Sequence, residues 1–205
     1  MDNQDKTYED TWTSYVFEGD SQCTRLPKMA ILGNALDTKR FDNPKKERLS
    51  HRFIYCSSPD RGLEQILDLW PLLKEKLPDA ELRIFYGWEY FDHSLSIKGQ
   101  RELKEKIKEL INQDGIQWCG RIGQEQLAHE LVQSDAMLYP PPHDFRETYG
   151  IAFLEAQAAG VICFYRQNGA LGETIGDRGV PLLLSLKPQE IVEKVAATLA
   201  DKEQC

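Results

Sequence analysis

The chain has 205 residues, enough for one domain with a full hydrophobic core. Its 41% hydrophobic and 28% charged fractions are ordinary for a globular protein, and its net charge of −8 argues against wrapping nucleic acid or coating an anionic membrane. No apolar run approaches the roughly 20 residues that a transmembrane helix needs, and the polar start Met1-Asp2-Asn3-Gln4-Asp5 is unlike a secretory leader. Cys23, Cys56, Cys119, Cys163 and Cys205 are odd in number and show no Cys-x-x-Cys spacing. They read as reduced thiols of a cytoplasmic protein, not as metal ligands or disulfides.

Residues 1–28 are polar and without period, and are expected to be a tail or linker remnant. Residues 29–205 are expected to form one domain. A short strand is expected over 28–34, and a charged loop with Pro44 over 37–50. Short apolar runs then alternate with helical spacing. Strands are expected over 52–57, 82–86, 115–119, 136–139, 161–165 and 180–184. Between them, Leu63, Ile66, Leu67, Trp70, Leu73 and Leu77 fall at helical spacing, with Pro71 as a possible kink. Leu103, Ile107, Leu110 and Ile111 mark a second helix, and Leu127 and Leu131 a third. A helix is expected over 149–159, and Ile191, Val192, Val195 and Leu199 close the chain.

This alternation predicts an α/β domain: a Rossmann-like parallel sheet of about six strands with helices on both faces. Such sheets bind ligands at the carboxyl ends of their strands, so the chemistry is expected in the loops after each strand. Trp12, Trp70, Trp88 and Trp118 read as packing residues rather than stacking platforms, and His143 as incidental. No metal-ligand cluster is evident.

The most informative stretch is Phe145-Arg146-Glu147-Thr148-Tyr149-Gly150-Ile151-Ala152-Phe153-Leu154-Glu155-Ala156-Gln157-Ala158-Ala159-Gly160. Glu147 stands before the expected helix and Glu155 lies on it. Eight helical steps bring the two within about 80° around the axis and about 12 Å along it. That span suits a sugar nucleotide with its diphosphate at the helix N-terminus, where backbone N–H groups and the macrodipole favour an anion. Gly150 permits a close approach of phosphate to backbone.

Five segments, in order, resemble the donor-binding half of GT-B glycosyltransferases, in particular glycosyltransferase family 4 (group 1). They are Ile31-Leu32-Gly33-Asn34-Ala35-Leu36-Asp37 followed by Phe41, Arg61-Gly62-Leu63, Gln117-Trp118-Cys119-Gly120-Arg121, the Glu147–Glu155 pair with its trailing Glu-Ala-x-Ala-x-Gly, and Asn168-Gly169-Ala170-Leu171-Gly172-Glu173. The resemblance covers about residues 30–200. It implies transfer of a sugar from a UDP- or GDP-sugar to an acceptor hydroxyl, with retention at the anomeric carbon and without a metal or other cofactor.

The resemblance assigns Arg61 to the leaving diphosphate and Glu147 to the donor sugar. It places Glu155 on the ribose, and Tyr149, Gly150 and Ile151 at the phosphates. It sets Arg121 beside the base, and the Gly169, Ala170 and Leu171 turn against sugar or phosphate. The family's second basic residue is replaced near Ser57 and Ser58 by hydroxyls, which can bond a phosphate but not neutralise it; Arg121 and Arg166 are the candidate substitutes. The resemblance covers one half of a two-half architecture. The acceptor (glycan, lipid or protein) is therefore expected to be held by a separate domain or subunit. The alternative is a non-catalytic module that binds sugar nucleotides as a sensor or scaffold.

Overall fold

A computed structural model of the chain describes residues 34–42, 47–94, 96–97, 99–140 and 146–201. Asn34–Cys205 forms a unit of its own. The strand expected over 28–34 lies outside the described residues except for Asn34, and His143 and Trp12 also lie outside them.

Six parallel strands form one sheet in the order β3-β2-β1-β4-β5-β6. They are β1 (Arg52–Tyr55), β2 (Glu81–Ile84), β3 (Ile116–Trp118), β4 (Ala136–Tyr139), β5 (Ile162–Tyr165) and β6 (Val180–Pro181). Phe53 is in register with Leu82 on one side and Ala136 on the other. All four residues of β4 are buried, as a central strand covered on both faces requires. The last strand is shorter than its apolar run predicts. The paired register ends at Pro181, the Leu182 N–H makes a last bond to the Tyr165 carbonyl at 2.7 Å, and Leu183 and Leu184 are exposed beyond it. Pro181, which has no N–H to donate, is tolerated because β6 is the edge strand.

The helices are α1 (Leu63–Lys76), α2 (Trp88–Phe91), α3 (Gln100–Leu110), α4 (Gln124–Gln133), α5 (Ile151–Ala158), α6 (Leu171–Ile175) and α7 (Pro188–Ala200). The α1 helix packs against α3 and α7, while α4 packs against α5. The short helices α2 and α6 were not foreseen, since four or five residues are too few to show a period.

Pro71 does not end α1. It cannot donate to the carbonyl of Leu67, and the Gln113 side chain supplies the missing donor, with Nε2 at 3.0 Å from that oxygen. Trp70 is buried edge-on against Phe53, and its ring N–H donates to the Asp114 carbonyl at 2.8 Å. Trp88 and Trp118 lie stacked on each other, with ring centroids 4.3 Å apart. All three serve packing, as expected.

Candidate functional site

The strand order reverses between β1 and β4. Chain leaving β1 runs toward β2, whereas chain leaving β4 runs toward β5, so the two carboxyl-end loops diverge and open a crevice. A cavity of about 470 Å³ fills it. One wall is the loop after β1, with Cys56, Ser57, Ser58 and Arg61. The other is the loop after β4 and the start of α5, with Glu147, Tyr149, Gly150, Ile151 and Glu155 among others; Asn34, Tyr86 and Tyr139 also line it.

A larger cavity of about 570 Å³ lies at the amino ends of the strands, beside Asp135, Ile162 and Val180. Size does not decide between them. At that end, the α5 helix presents carbonyls rather than N–H groups, and the Arg48 guanidinium is spent on them. It donates to the carbonyl of Ala159 at 2.6 Å and to that of Gly160. Positive charge at a helix C-terminus fixes the helix and builds no anion site.

The α5 helix starts two residues later than its sequence predicts. Gly150, at φ 82° and ψ 52°, turns the chain, and Ile151 is the first helical residue. A side chain at Gly150 would also meet Leu171 Cδ2 at 2.7 Å. No side chain caps this terminus and its first turn holds no acid. Among the described residues, the N–H groups of Gly150, Ile151 and Ala152 therefore line the cavity without an intramolecular acceptor, the condition under which a helix end attracts a phosphate.

Because the helix starts late, Glu147 is not on its axis, and the expected 80° relation does not describe it. Its carboxylate is held instead by its own loop, by the loop after β1 and by the end of β4. Oε1 accepts from the backbone N–H of Thr148 at 3.1 Å and of Tyr149 at 3.5 Å. Oε2 accepts from Arg61 Nη1 and from the Tyr139 hydroxyl, both at 3.4 Å. The side chain is 8% exposed, while that of Arg61 is 41% exposed. These contacts lie at or beyond the long end of hydrogen bonding, so a ligand hydroxyl can still compete for the carboxylate. Burial raises the Tyr139 phenol, so it remains a neutral donor; Ser57 is its other partner.

Arg61 ends a short 3-10 turn, Pro59–Arg61, and Gly62 at φ 106° leads directly into α1. Among the described residues lining the cavity, it is the cationic side chain. Where the family's second basic residue is replaced, the wall carries Cys56, Ser57 and Ser58, and neither candidate substitute, Arg121 or Arg166, lines the cavity. Burial pushes the Cys56 thiol up to about 12, with Glu155 and Cys163 adding to the effect, so it is neither charged nor nucleophilic near neutral pH.

Glu155 lies one turn into α5. Its Oε1 pairs with Arg40 Nη2 at 3.2 Å, and both side chains are 13% exposed. Burial pushes its carboxyl up, and Arg40 opposes that shift.

The structure thus gathers Ser57, Arg61, Glu147, Tyr149, Gly150, Ile151 and Glu155 around one cavity. It does not bring Arg121, Gly169, Ala170 or Leu171 to its lining. Arg121 is exposed on the loop after β3, beside Gly87. Gly169 and Ala170 stand behind Glu147, where the Ala170 N–H donates to the Glu147 carbonyl at 2.9 Å, and Leu171 packs against Gly150. Sequence reasoning missed Tyr139, hidden as the last residue of an apolar strand, and Arg40, which stands between the recognised Asp37 and Phe41. Among the described residues no group of three or more His, Cys, Asp or Glu side chains could hold a metal ion.

A 3-2-1-4-5-6 parallel sheet with an anion-seeking helix start at its reversal point is one half of the GT-B glycosyltransferase architecture. The profile of the family "Glycosyl transferases group 1" matches residues 37–205, and the chain belongs to that family. It is 26% identical over 117 residues to the mannosylfructose-phosphate synthase of Agrobacterium fabrum (strain C58 / ATCC 33970), a match covering 57% of this chain and 25% of that protein. AviGT4, a glycosyltransferase involved in avilamycin A biosynthesis, superposes with a TM-score of 0.62 at 15% identity, covering 83% of this chain and 48% of its own. Anabaena Alr3699/HepE, solved in complex with UDP and glucose, gives 0.57 at 15% identity, over 76% and 40%. The chain spans less than half the length of each of these relatives.

Proposed function

We propose that this chain binds a nucleoside-diphosphate sugar, with a UDP or GDP carrier, in the crevice between β1 and β4, and acts as the donor half of a retaining, metal-independent glycosyl transfer. The observation that carries this reading is the meeting, in one 470 Å³ cavity, of an uncapped helix start, Arg61 and two carboxylates. The family membership supports it, as does the UDP held by the HepE relative.

In this reading the diphosphate lies on the Gly150, Ile151 and Ala152 amides, with Arg61 at the leaving oxygen. Glu147 holds a hydroxyl of the donor sugar. Glu155 accepts from the ribose hydroxyls with Oε2, which has no hydrogen bond among the described residues. Transfer breaks the bond from anomeric carbon to phosphate oxygen and forms the bond to the acceptor oxygen on the same face. The acceptor proton passes to the departing phosphate. The protein contributes orientation and stabilises the developing charge. Arg121 borders the base. Gly169, Ala170 and Leu171 act by fixing Glu147 and Gly150.

The acceptor is held by a second domain or subunit, since the matched relatives are more than twice as long as the part this chain covers. A second reading is a sugar-nucleotide-binding module without turnover of its own. We place the protein in the cytoplasm. No described helix is long and apolar enough to cross a membrane, and Cys56, Cys119 and Cys163 are free thiols, consistent with that placement.

Calorimetric titration with UDP, GDP and ADP tests the donor site. Saturable binding of one nucleotide, weakened in Glu155→Ala, is expected; no binding of any would refute it. With an acceptor half supplied, NMR of the product is expected to show the donor's anomeric configuration. An inverted product would rule out the retaining route, and donor binding without transfer would favour the module reading.

A further inference from the structure

Arg40 belongs to a short 3-10 turn, Thr38–Phe41, far in sequence from Glu155, yet its guanidinium is pinned at three points. Nε donates to the Asp37 carbonyl at 3.3 Å, Nη1 to Gln124 Oε1 on α4 at 2.9 Å, and Nη2 to Glu155 Oε1 on α5 at 3.2 Å. The turn itself is fixed, because Asp37 caps it by accepting from the Lys39 N–H at 3.1 Å and Phe41 is buried in the core. The guanidinium also lies 5.4 Å from the Phe41 ring centroid.

A guanidinium held on all sides cannot swing away without losing three partners, so it fixes the carboxylate it touches. One oxygen of Glu155 is consumed. The other carries no hydrogen bond among the described residues, and Glu155 lines the cavity.

We propose that Arg40, braced by Gln124, is a positioning residue for nucleotide recognition: it orients Glu155 so that Oε2 receives the vicinal hydroxyls of the ribose. This rests on the ribose role given to Glu155 above and extends it to a residue outside the cavity. Arg40 also keeps Glu155 ionised. Burial favours its protonated form, and of the charged or titratable groups facing it, Arg40 opposes that while Cys56 is a neutral thiol. A protonated carboxyl accepts poorly from two hydroxyls, so nucleotide affinity falls as pH drops through the Glu155 pKa, and losing Arg40 moves that fall to higher pH.

The test uses UDP and GDP beside their 2′,3′-dideoxy counterparts, titrated from pH 5 to 8.5 into wild type, Arg40→Met, Arg40→Lys and Gln124→Ala. The wild type is expected to prefer the ribonucleotide by about tenfold or more. Arg40→Met is expected to abolish that preference, leave dideoxy affinity unchanged and raise the midpoint of the pH dependence. Arg40→Lys keeps the charge but not the fork, so it should retain the wild-type midpoint with a reduced preference; Gln124→Ala should reduce the preference less. An undiminished preference and midpoint in Arg40→Met would overturn the proposal, and so would equal weakening of both nucleotides, which marks a merely structural arginine. If Arg40→Met does not fold, an unchanged preference in both Arg40→Lys and Gln124→Ala overturns it. A wild type with no ribose preference would overturn the Glu155 role itself and this inference with it.

Discussion

The cavity has one cationic side chain among its described lining residues, and that concentrates the account on Arg61. Charge-assisted hydrogen bonds to phosphate contribute about 1.5–3 kcal/mol. Arg61→Ala is therefore expected to weaken nucleoside diphosphate binding about 10- to 100-fold while leaving the free nucleoside unaffected, as calorimetry with UDP and uridine, or the guanine pair, would show. Equal loss for both would place Arg61 away from the phosphates. Cys56 gives an independent readout. With its thiol pushed up to about 12, it is almost wholly un-ionised at pH 8. Mass-spectrometric mapping after iodoacetamide treatment should find Cys119 alkylated before the buried Cys163 and before Cys56, which is half-buried on the cavity wall but slowed by its raised thiol. Rapid labelling of Cys56 would contradict that raised thiol. At this scale the sequence was informative where a residue type is rare in its context, as with a carboxylate beside Gly150 or an arginine before Gly62. Tyr139 was not legible, because a hydroxyl at the tip of an apolar run looks like one more core aromatic. Arg40 was not legible because its partners are 84 and 115 positions away.

At the level of elements, the loop that carries Asn168, Gly169 and Ala170 matters to the site without touching it. Gly169 is at φ 58°, and a β-carbon there would run into the Glu147 carbonyl. Gly169→Ala adds a left-handed backbone cost of about 1–2 kcal/mol to that overlap, so a fall in melting temperature of roughly 5 °C or more is expected in a thermal scan. The α1 helix allows a cleaner test. Gln113 serves the Leu67 carbonyl that Pro71 leaves unserved. Gln113→Ala is expected to cost about 1–3 kcal/mol in urea unfolding, and less in a Pro71→Ala background, where the new N–H reaches Leu67 itself. Equal costs in both backgrounds would show that the two residues are uncoupled. Strand positions were readable because buried parallel strands are short unbroken apolar runs, β4 above all. Element ends were not. The start of α5 moved from 149 to 151 because Gly150 takes a left-handed conformation that no periodicity records, and β6 ended at Pro181 although its apolar run continues to Leu184.

At the scale of the whole domain, the strand order was not read from the sequence. Alternation of strands and helices predicted parallel pairing, but nothing local says that β4 returns to lie beside β1, and that return creates the crevice. The motifs that follow β1, β3, β4 and β5 lie at the carboxyl ends of the strands because each comes just after one. The domain nevertheless offers two cavities at opposite ends of its strands, and the account stands on the smaller one. The direct test is a ¹H–¹⁵N correlation titration of the full chain with UDP and, separately, GDP. The account predicts saturable shifts at the amides of Gly150, Ile151 and Ala152 and of the Cys56–Arg61 loop, with Gly160, Val161 and Asp177 to Val180 unmoved. Shifts confined to that second group, or none with either nucleotide, would contradict it.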